Sequence, residues 1–185
     1  EAVPEPEKER IYLTADEMNE LISSVQPLLV KTILSTLYYT GMRISECVNL
    51  TIEDVSFKEK IINVRKSKNN KDRQIPIHDK LLPILHDYYF NKRKQTICPY
   101  FFVSRNNNRV SPDYINRILH ETTQRLGWSK KITCHIIRHS FASNLVAKNV
   151  NIVNIQKLLG HSNLSTTSVY THTNISELIK AVNTI

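Results

Sequence analysis

Residues 133–161 read TCHIIRHSFASNLVAKNVNIVNIQKLLGH. Thr133 opens a predicted helix, because apolar residues recur after it at helical spacing. Asn149 tolerates the left-handed backbone conformation in which many helices end, so we place the end of this helix there. A second helix is predicted over 152–159, since Gly160 then supplies another stop. This part of the chain is therefore predicted to be helical.

The N-terminal part shows the same kind of signals. Thr14 and Glu17 form a capping box ahead of apolar residues at helical spacing. A second, largely apolar helix is predicted over 27–40, and Gly41 is placed to end it. A short helix is predicted over 44–50. These helices indicate a core built mainly from helix packing.

The middle of the chain changes character. Residues 52–77 contain closely spaced β-prone residues on both sides of a polar turn, which predicts a small antiparallel sheet with a basic hairpin tip at 66–73. Helices are predicted over 79–92 and 111–126, with a short strand over 100–103. The predicted fold class is mainly α with a small antiparallel β-sheet (α+β).

Composition and end segments suggest how the domain is bounded. Residues 1–12 are rich in Pro and Glu and are interpreted as the remnant of an interdomain linker. One domain is predicted over 13–174, followed by an amphipathic tail helix over 175–185. Because the chain begins at Glu1 rather than Met, we expect it to be part of a longer protein.

The charge balance favours a polyanionic partner. Lys and Arg number 25 against 17 Asp and Glu, which gives a formal net charge of +8. Such a balance favours nucleic acid first and an acidic membrane surface second. The sequence has no signal peptide and no apolar run long enough to cross a membrane, so no membrane association is predicted.

The cysteines indicate the compartment. Cys47, Cys98 and Cys134 are widely spaced and form no CxxC pair, which argues against a disulfide framework and a zinc ribbon. We expect free buried thiols in a reducing cytosol, and hence a cytoplasmic protein.

Four blocks combine polar residues that are ordinary when taken singly. They read TGMRISE at 40–46, SKNNKDRQIPI at 67–77, HIIRHSFA at 135–142 and LLGHSNLSTTSVYTH at 158–172. In this order and spacing they closely resemble the catalytic domain of tyrosine recombinases, the integrase and Xer-like group. The resemblance extends from Thr14 to Thr173. It implies a mainly helical catalytic domain over 13–174 with a small sheet at one edge.

The chemistry of phosphodiester attack calls for residue types that these blocks contain. Charge builds on the non-bridging oxygens, and the guanidiniums of Arg43 and Arg138 are suited to binding them. The nucleophile is predicted to be Tyr170. A tyrosine with the reference pKa of about 10 is phenolate in only roughly one molecule in a thousand at pH 7. His135 is the candidate base, and the resemblance implies the same role. His161 would hydrogen-bond the phosphate.

The basic hairpin is expected to supply a general acid and DNA contacts. Alignment with the family's hairpin assigns proton donation to the leaving 5′-oxygen to Lys68, although Asn69 stands where the family usually has glycine. Lys66, Lys71 and Arg73 are predicted to contact DNA phosphates, as is Arg117 further along the chain.

Two further residues are assigned supporting roles beside the predicted catalytic groups. Glu46 is expected to orient Arg43, and His139 is expected to support the site from within the same block as Arg138. Besides Asn69, the sequence departs from the family pattern at Asn149, where glycine is common.

The resemblance also implies the partners. Double-stranded DNA is the expected substrate, bound by a homotetramer on two sites, with the isolated chain able to be a monomer. The tail helix is predicted either to dock on a neighbouring protomer or to fold back on its own domain. No P-loop and no carboxylate cluster is present in the sequence, so neither a cofactor nor a metal is predicted. The cellular role is either Xer-like chromosome-dimer resolution or integration and excision of a mobile element.

Three alternatives remain at this point. A zinc enzyme could use His135, His139 and His161, but Ile136 stands where the HExxH motif needs its glutamate. A DNA-binding relative without catalysis would keep the basic residues alone. A type IB topoisomerase shares the Tyr, Arg and His chemistry, and strand exchange between two duplexes would separate it from a recombinase.

Overall fold

The structure, a computed structural model, describes residues 12–65, 72–160 and 175–185. Within these ranges the elements are α1 Ala15–Ser24, α2 Leu28–Thr40, α3 Ile44–Val48, β1 Val55–Ser56, β2 Ile61–Val64, β3 Arg73–Pro76, α4 Leu81–Asp87, α5 Pro112–Arg125, α6 Cys134–Ala147, α7 Ile152–Leu159 and α8 Ile175–Val182. A 3-10 turn precedes β1, and a π-helical turn over Tyr88–Lys92 extends α4. The predicted class, mainly α with a small antiparallel sheet, is confirmed.

Helix α2 forms the centre of the core. Its residues from Thr32 to Thr40 are all buried, and it packs against α6, α1, α3 and α4. Buried hydroxyls are satisfied within the helix: the Thr36 hydroxyl donates to the Thr32 carbonyl at 2.8 Å. Gly41 ends the helix at φ +65°, and a Cβ there would collide with the Phe141 ring of α6. The predicted stop is thus also a point of close helix approach.

The sheet has the strand order β1-β2-β3, with both pairs antiparallel. In its register Ile62 faces Ile75, and Val64 faces Arg73. Ile62 and Ile75 are completely buried, so one face of the sheet closes the helical core. The sheet predicted over 52–77 is confirmed for the described residues, and the hairpin tip at 66–71 lies outside them.

The short strand predicted over 100–103 is wrong. The segment forms two isolated bridges, which pair Thr51 with Tyr100 and Val103 with Arg109. The Arg93 guanidinium donates hydrogen bonds to carbonyls along this segment, those of Cys98, Tyr100 and Phe101. The segment also pairs with residues 50–52 through two backbone hydrogen bonds, from the Phe101 N–H to the Leu50 carbonyl and from the Ile52 N–H to the Pro99 carbonyl, but this pairing does not extend into a ladder. The pattern of apolar residues alone could not reveal this.

The predicted helix ends of the C-terminal third are confirmed. Thr133 is the N-cap of α6, and Asn149 lies beyond its end with φ +58°. Gly160 ends α7 with φ +68°. Both stops use the left-handed region, which glycine and asparagine tolerate best.

Helix α8 lies on its own chain, against α7 and β3. Leu178, Ala181 and Val182 are its buried residues. The contact is extended by His78, whose Nε2 lies 2.9 Å from the Ile185 carbonyl oxygen. Among the two arrangements that the sequence allowed for the tail, this structure has the one within a single protomer.

All three cysteines are buried and free, as expected. Burial raises the pKa of Cys134 to about 12 and also raises the pKa of Cys47. The Cys47 and Cys134 thiols therefore stay protonated at neutral pH and react slowly.

Candidate active site

Two of the predicted site arginines lie where helix ends converge. Arg43 is the N-cap of α3, immediately after the turn that ends α2. Arg138, on α6, is 7% exposed. Its Nη1 donates to the Gly41 carbonyl at 2.6 Å and its Nη2 to the Leu159 carbonyl at 2.9 Å. Carbonyls at helix C termini lack partners within the helix, so Arg138 fastens the ends of α2 and α7 together.

The environment of Arg138 suits an anion. Burial, followed by the charge of Arg43, lowers the pKa of Arg138 to about 10, while Glu46 opposes that shift. The guanidinium is still protonated at pH 7. A cation whose charged form is disfavoured by burial and by a like charge gains stability when an anion approaches. A phosphate group would supply such a charge.

Glu46 is the shared anionic partner of the site. Its Oε2 accepts from the Arg43 backbone N–H at 2.7 Å, and its Oε1 accepts from Arg43 Nη1 at 3.2 Å. Both of its oxygens also accept from Arg73, at 3.0 and 2.9 Å. Arg138 Nη1 lies 4.0 Å away. We refer to Arg43, Arg73 and Arg138 around Glu46 as the arginine cluster.

The arginine cluster carries an excess of positive charge. Three guanidiniums surround one carboxylate, and Arg43, with 45% of its side chain exposed, is the member most open to solvent. Burial would raise the pKa of Glu46, but hydrogen bonds and charge from Arg73, with help from Arg43 and Arg138, lower it below its usual range. Glu46 is therefore ionised at neutral pH and still leaves positive charge for a bound anion.

Arg73 has a different position from the one predicted. The sequence interpretation made it a phosphate contact on the hairpin, but its side chain is only 14% exposed. Besides Glu46, it holds the Leu158 carbonyl through Nε at 2.9 Å. Arg73 and Ile75 lie on the same face of β3, since side chains alternate along a strand, and Ile75 points into the core. That alternation was the signal in the sequence that could have revealed its inward direction.

The two predicted histidines of α6 are placed differently. His135 is exposed and lies one turn before Arg138, which puts both on the same side of the helix. His139 is partly buried, and the edge of its ring meets Tyr12 at a centroid distance of 6.4 Å. His135 is thus accessible to a substrate, whereas His139 contacts the start of the domain.

Arg117 is not a member of the arginine cluster and lies on the exposed side of α5. It pairs with Glu121 at 2.7 Å and lies over the Tyr114 ring. It lines a cavity of about 910 Å³ between the N-terminal end of α2 and α5. We call this cavity the basic groove, because its lining holds five basic residues and no acidic one: Lys92, Lys94, Arg105, Arg109 and Arg117. Four of these five were not predicted, since isolated basic residues in the sequence do not indicate a shared surface.

The remaining predicted site residues, Lys66, Lys68, Lys71, His161 and Tyr170, lie outside the described residues. Within the described ranges, no three His, Cys, Asp or Glu side chains gather closely enough to hold a metal ion. No helix in the same ranges has the length and apolar character that a membrane crossing requires.

Comparison with known sequences gives several close matches. The sequence model of the phage integrase family matches residues 11–177. A tyrosine recombinase of Thermosipho africanus is 41% identical over 175 residues, which are 92% of this chain and 60% of the relative. Tyrosine recombinase XerA of Pyrococcus horikoshii is 39% identical over 173 residues, covering 92% of this chain and 59% of the relative. The chain thus spans about three fifths of the length of these relatives.

Solved structures show the same architecture. The crystal structure of XerA recombinase has a TM-score of 0.78 and 36% identity, covering 95% of this chain and 65% of that chain. The structure of the Tn1549 transposon integrase in complex with transposon right end DNA has a TM-score of 0.75 at 21% identity, covering 95% of this chain and 66% of that chain. At 21% identity, the second likeness concerns the fold alone.

Proposed function

We propose a function from one premise: this chain belongs to the phage integrase family. It is the catalytic domain of a site-specific tyrosine recombinase, in which Tyr170 cuts and rejoins DNA through a 3′-phosphotyrosyl link. The observation that carries the proposal is the arginine cluster, which presents excess positive charge at converging helix ends. Relatives named tyrosine recombinases at about 40% identity support it.

The arginine cluster would bind the scissile phosphate. Arg43 is exposed enough to donate to a non-bridging oxygen, and Arg138 supplies a buried positive charge behind it. Their positions are fixed before substrate arrives, by Glu46 and by the helix-end carbonyls. Donors fixed in advance stabilise developing charge without reorganising at the moment of reaction.

The remaining steps are assigned from the sequence. The Tyr170 oxygen attacks phosphorus as its proton passes to His135, which the structure places on the exposed side of α6. His161 would donate to the phosphate, and Lys68 would protonate the 5′-oxygen as the P–O5′ bond breaks. A 5′-hydroxyl from a second strand then attacks the phosphotyrosine and releases Tyr170. One phosphodiester-type bond replaces another at each step, so the reaction needs no external energy source.

DNA would extend beyond the cleavage site across the basic groove. Arg117 and its basic neighbours there have no acidic residue among them in the lining, so a phosphate backbone is the chemistry they fit. Lys66 and Lys71 of the hairpin are proposed to add phosphate contacts. Arg73 is not included, because its side chain is only 14% exposed and pairs with Glu46 and the Leu158 carbonyl inside the protein.

The assembly and cellular role follow from the same family. We propose a homotetramer on two DNA sites in which α8 leaves its own domain and docks on a neighbour, the arrangement in the free chain being the resting one. We propose chromosome-dimer resolution as the role, ahead of mobile-element integration, because relatives named XerA are among those that match. A cytoplasmic location is the corresponding proposal.

Covalent trapping tests the proposed function. The full-length protein is incubated with a nicked suicide substrate carrying its recombination site, and a denaturing gel is examined for a protein–DNA adduct. We expect an adduct with the wild type and its complete loss with Tyr170→Phe, because phenylalanine has no nucleophilic oxygen. A wild type that binds the site but forms no adduct would instead make the chain a DNA-binding module. Exchange of strands between two duplexes separates recombination from relaxation of one duplex.

A further inference from the structure

We propose that Arg73 is a positioning residue for DNA cleavage, which acts through Glu46 and through the end of α7. This inference rests on the proposed function. In this role Arg73, the first residue of β3, keeps the arginine cluster open to phosphate and does not itself contact DNA.

Three of the five N–H donors of the Arg73 guanidinium are engaged inside the protein, one on each of its nitrogens. Nη1 and Nη2 donate to the two Glu46 oxygens in a two-point ion pair, and Nε donates to the Leu158 carbonyl. The partners are 27 and 85 residues away in sequence. One side chain therefore joins β3, α3 and α7. Both members of the ion pair are largely buried, at 14% and 16% exposure.

Arg73 also completes the C-terminal cap of α7. The last four carbonyls of this helix have no partner further along the helix. The Gly160 N–H lies within hydrogen-bond distance of the Gln156 and Lys157 carbonyls, at 2.9 and 3.2 Å. Arg73 takes the Leu158 carbonyl and Arg138 takes the Leu159 carbonyl. Two members of the arginine cluster thus hold the helix end from which the chain continues to His161 in sequence.

The Arg73 guanidinium packs directly against Gly160. A Cβ built on Gly160 would lie 2.8 Å from Arg73 Nη1 and 2.9 Å from its Cζ. The close approach is therefore possible only without a side chain at this position. It brings the Arg73 side chain of β3 directly against the end of α7.

The electrostatic consequence concerns Arg43 and Arg138. Glu46 carries one negative charge, and Arg73 engages both of its oxygens. Without Arg73 the carboxylate would be free to pair more closely with Arg43, now at 3.2 Å, or with Arg138, now at 4.0 Å. Either pairing would neutralise charge that the phosphate needs in the transition state. Loss of the Arg73 contacts should therefore lower the cleavage rate and leave DNA affinity nearly unchanged.

Single-turnover cleavage by the full-length protein separates these quantities. The rate of adduct formation at saturating suicide substrate and the half-saturating DNA concentration are measured for wild type, Arg73→Lys and Arg65→Lys. Arg73→Lys keeps the charge but loses the two-point pair. We expect its rate to fall about tenfold or more, with half-saturation within about twofold of wild type. Arg65 is the matched control, because it is an exposed arginine of the same hairpin that pairs with Glu53 and Asp54.

Other outcomes overturn the proposal. A wild-type rate combined with weaker binding would make Arg73 a DNA contact, and an equal loss in Arg65→Lys would make the effect one of the hairpin in general. A wild type without adduct removes the proposed function and this inference together. If Arg73→Lys does not fold, the same cleavage rate is measured for Gly160→Ala, with Gly127→Ala as its control. Both glycines have positive φ, but of the two only Gly160 has other atoms within 4 Å of an added Cβ. A rate loss confined to Gly160→Ala supports the proposal, and equal rates contradict it.

Discussion

Glu46 shows how one residue can stabilise the fold and shape the site at once. It accepts from Arg43 on its own helix and from Arg73 on the sheet, at 16% exposure. Breaking a buried ion pair by removing one partner is costly, because the other charge stays behind without compensation. The ion pairs of Glu46 therefore hold the site in place, and their loss should also lower the free energy of unfolding.

Glu46→Gln should destabilise this chain by about 3 kcal/mol at pH 7, measured by urea unfolding. The folded-state pKa of Glu46 is lowered below its ordinary value of 4.5. Its contribution is thus fully present above pH 4.5 and is lost as the pH falls through the folded-state pKa. The difference between wild type and variant should shrink over that acidic range.

The control for this comparison is Glu121→Gln, which removes the exposed partner of Arg117. Exposed pairs contribute little, so we expect a change of about 0.5 kcal/mol or less. A Glu46→Gln effect as small as that of the control, or one that does not vary between pH 3 and 7, would contradict the interpretation.

How far the site could be predicted differs from residue to residue. Arg43, His135 and Arg138 stand in motifs that can be quoted from the sequence, and Arg43 and Arg138 meet at Glu46 in the structure. The position of Arg73 depends on partners far along the chain, and the sequence offered only strand alternation as a signal. A basic residue in a basic hairpin therefore looked like a DNA contact.

At the scale of elements, local signals were sufficient for most helices. The capping box of Thr14 and Glu17 is present as predicted, and so are the left-handed stops at Gly41 and Gly160. These features depend on a few neighbouring residues. The expected strand over 100–103 does not form: the segment makes isolated bridges, and its Tyr100 and Phe101 carbonyls also accept from Arg93, a contact that the local pattern cannot show.

Helix α8 packs one apolar side on its own domain and leaves two isoleucines exposed. Leu178, Ala181 and Val182 face its own domain, whereas Ile175 and Ile179 are more than 40% exposed. The buried side explains why the free chain keeps the helix. In the proposed tetramer, the same residues would pack on a neighbouring protomer.

Truncation of the full-length protein after Thr173 should abolish assembly on two DNA sites while leaving binding to one site, because the docking element is lost. Light scattering of the DNA-bound protein measures this. Ile175→Ser is the matched control, since it alters an exposed residue of α8 and keeps the buried side. Unchanged assembly after truncation would restrict α8 to its own domain.

At the scale of the whole molecule, two properties determine the DNA affinity that we expect: the net charge, and the share of its relatives' length that the chain spans. The formal net charge is +8, and the basic groove adds a second basic surface to the arginine cluster. The chain spans about three fifths of its relatives. We propose that the part of the full-length protein outside this chain also contacts DNA phosphates.

This chain should bind the recombination site more weakly than the full-length protein, and its affinity should fall less steeply with salt. Each phosphate contact contributes about 0.9 to the slope of log affinity against log salt concentration. Fluorescence anisotropy between 50 and 200 mM salt, a range in which such slopes are about linear, provides the measurement. Equal affinity and equal slope would show that this chain contains the whole binding surface.

The burial of all three cysteines makes the molecule convenient to label. Because Cys47, Cys98 and Cys134 are shielded from solvent, a maleimide dye should react preferentially with a cysteine introduced on the surface. Ile179→Cys would place such a dye on the exposed side of α8, with the native thiols left in place. The departure of this helix from its own domain could then be followed in real time by energy transfer to labelled DNA.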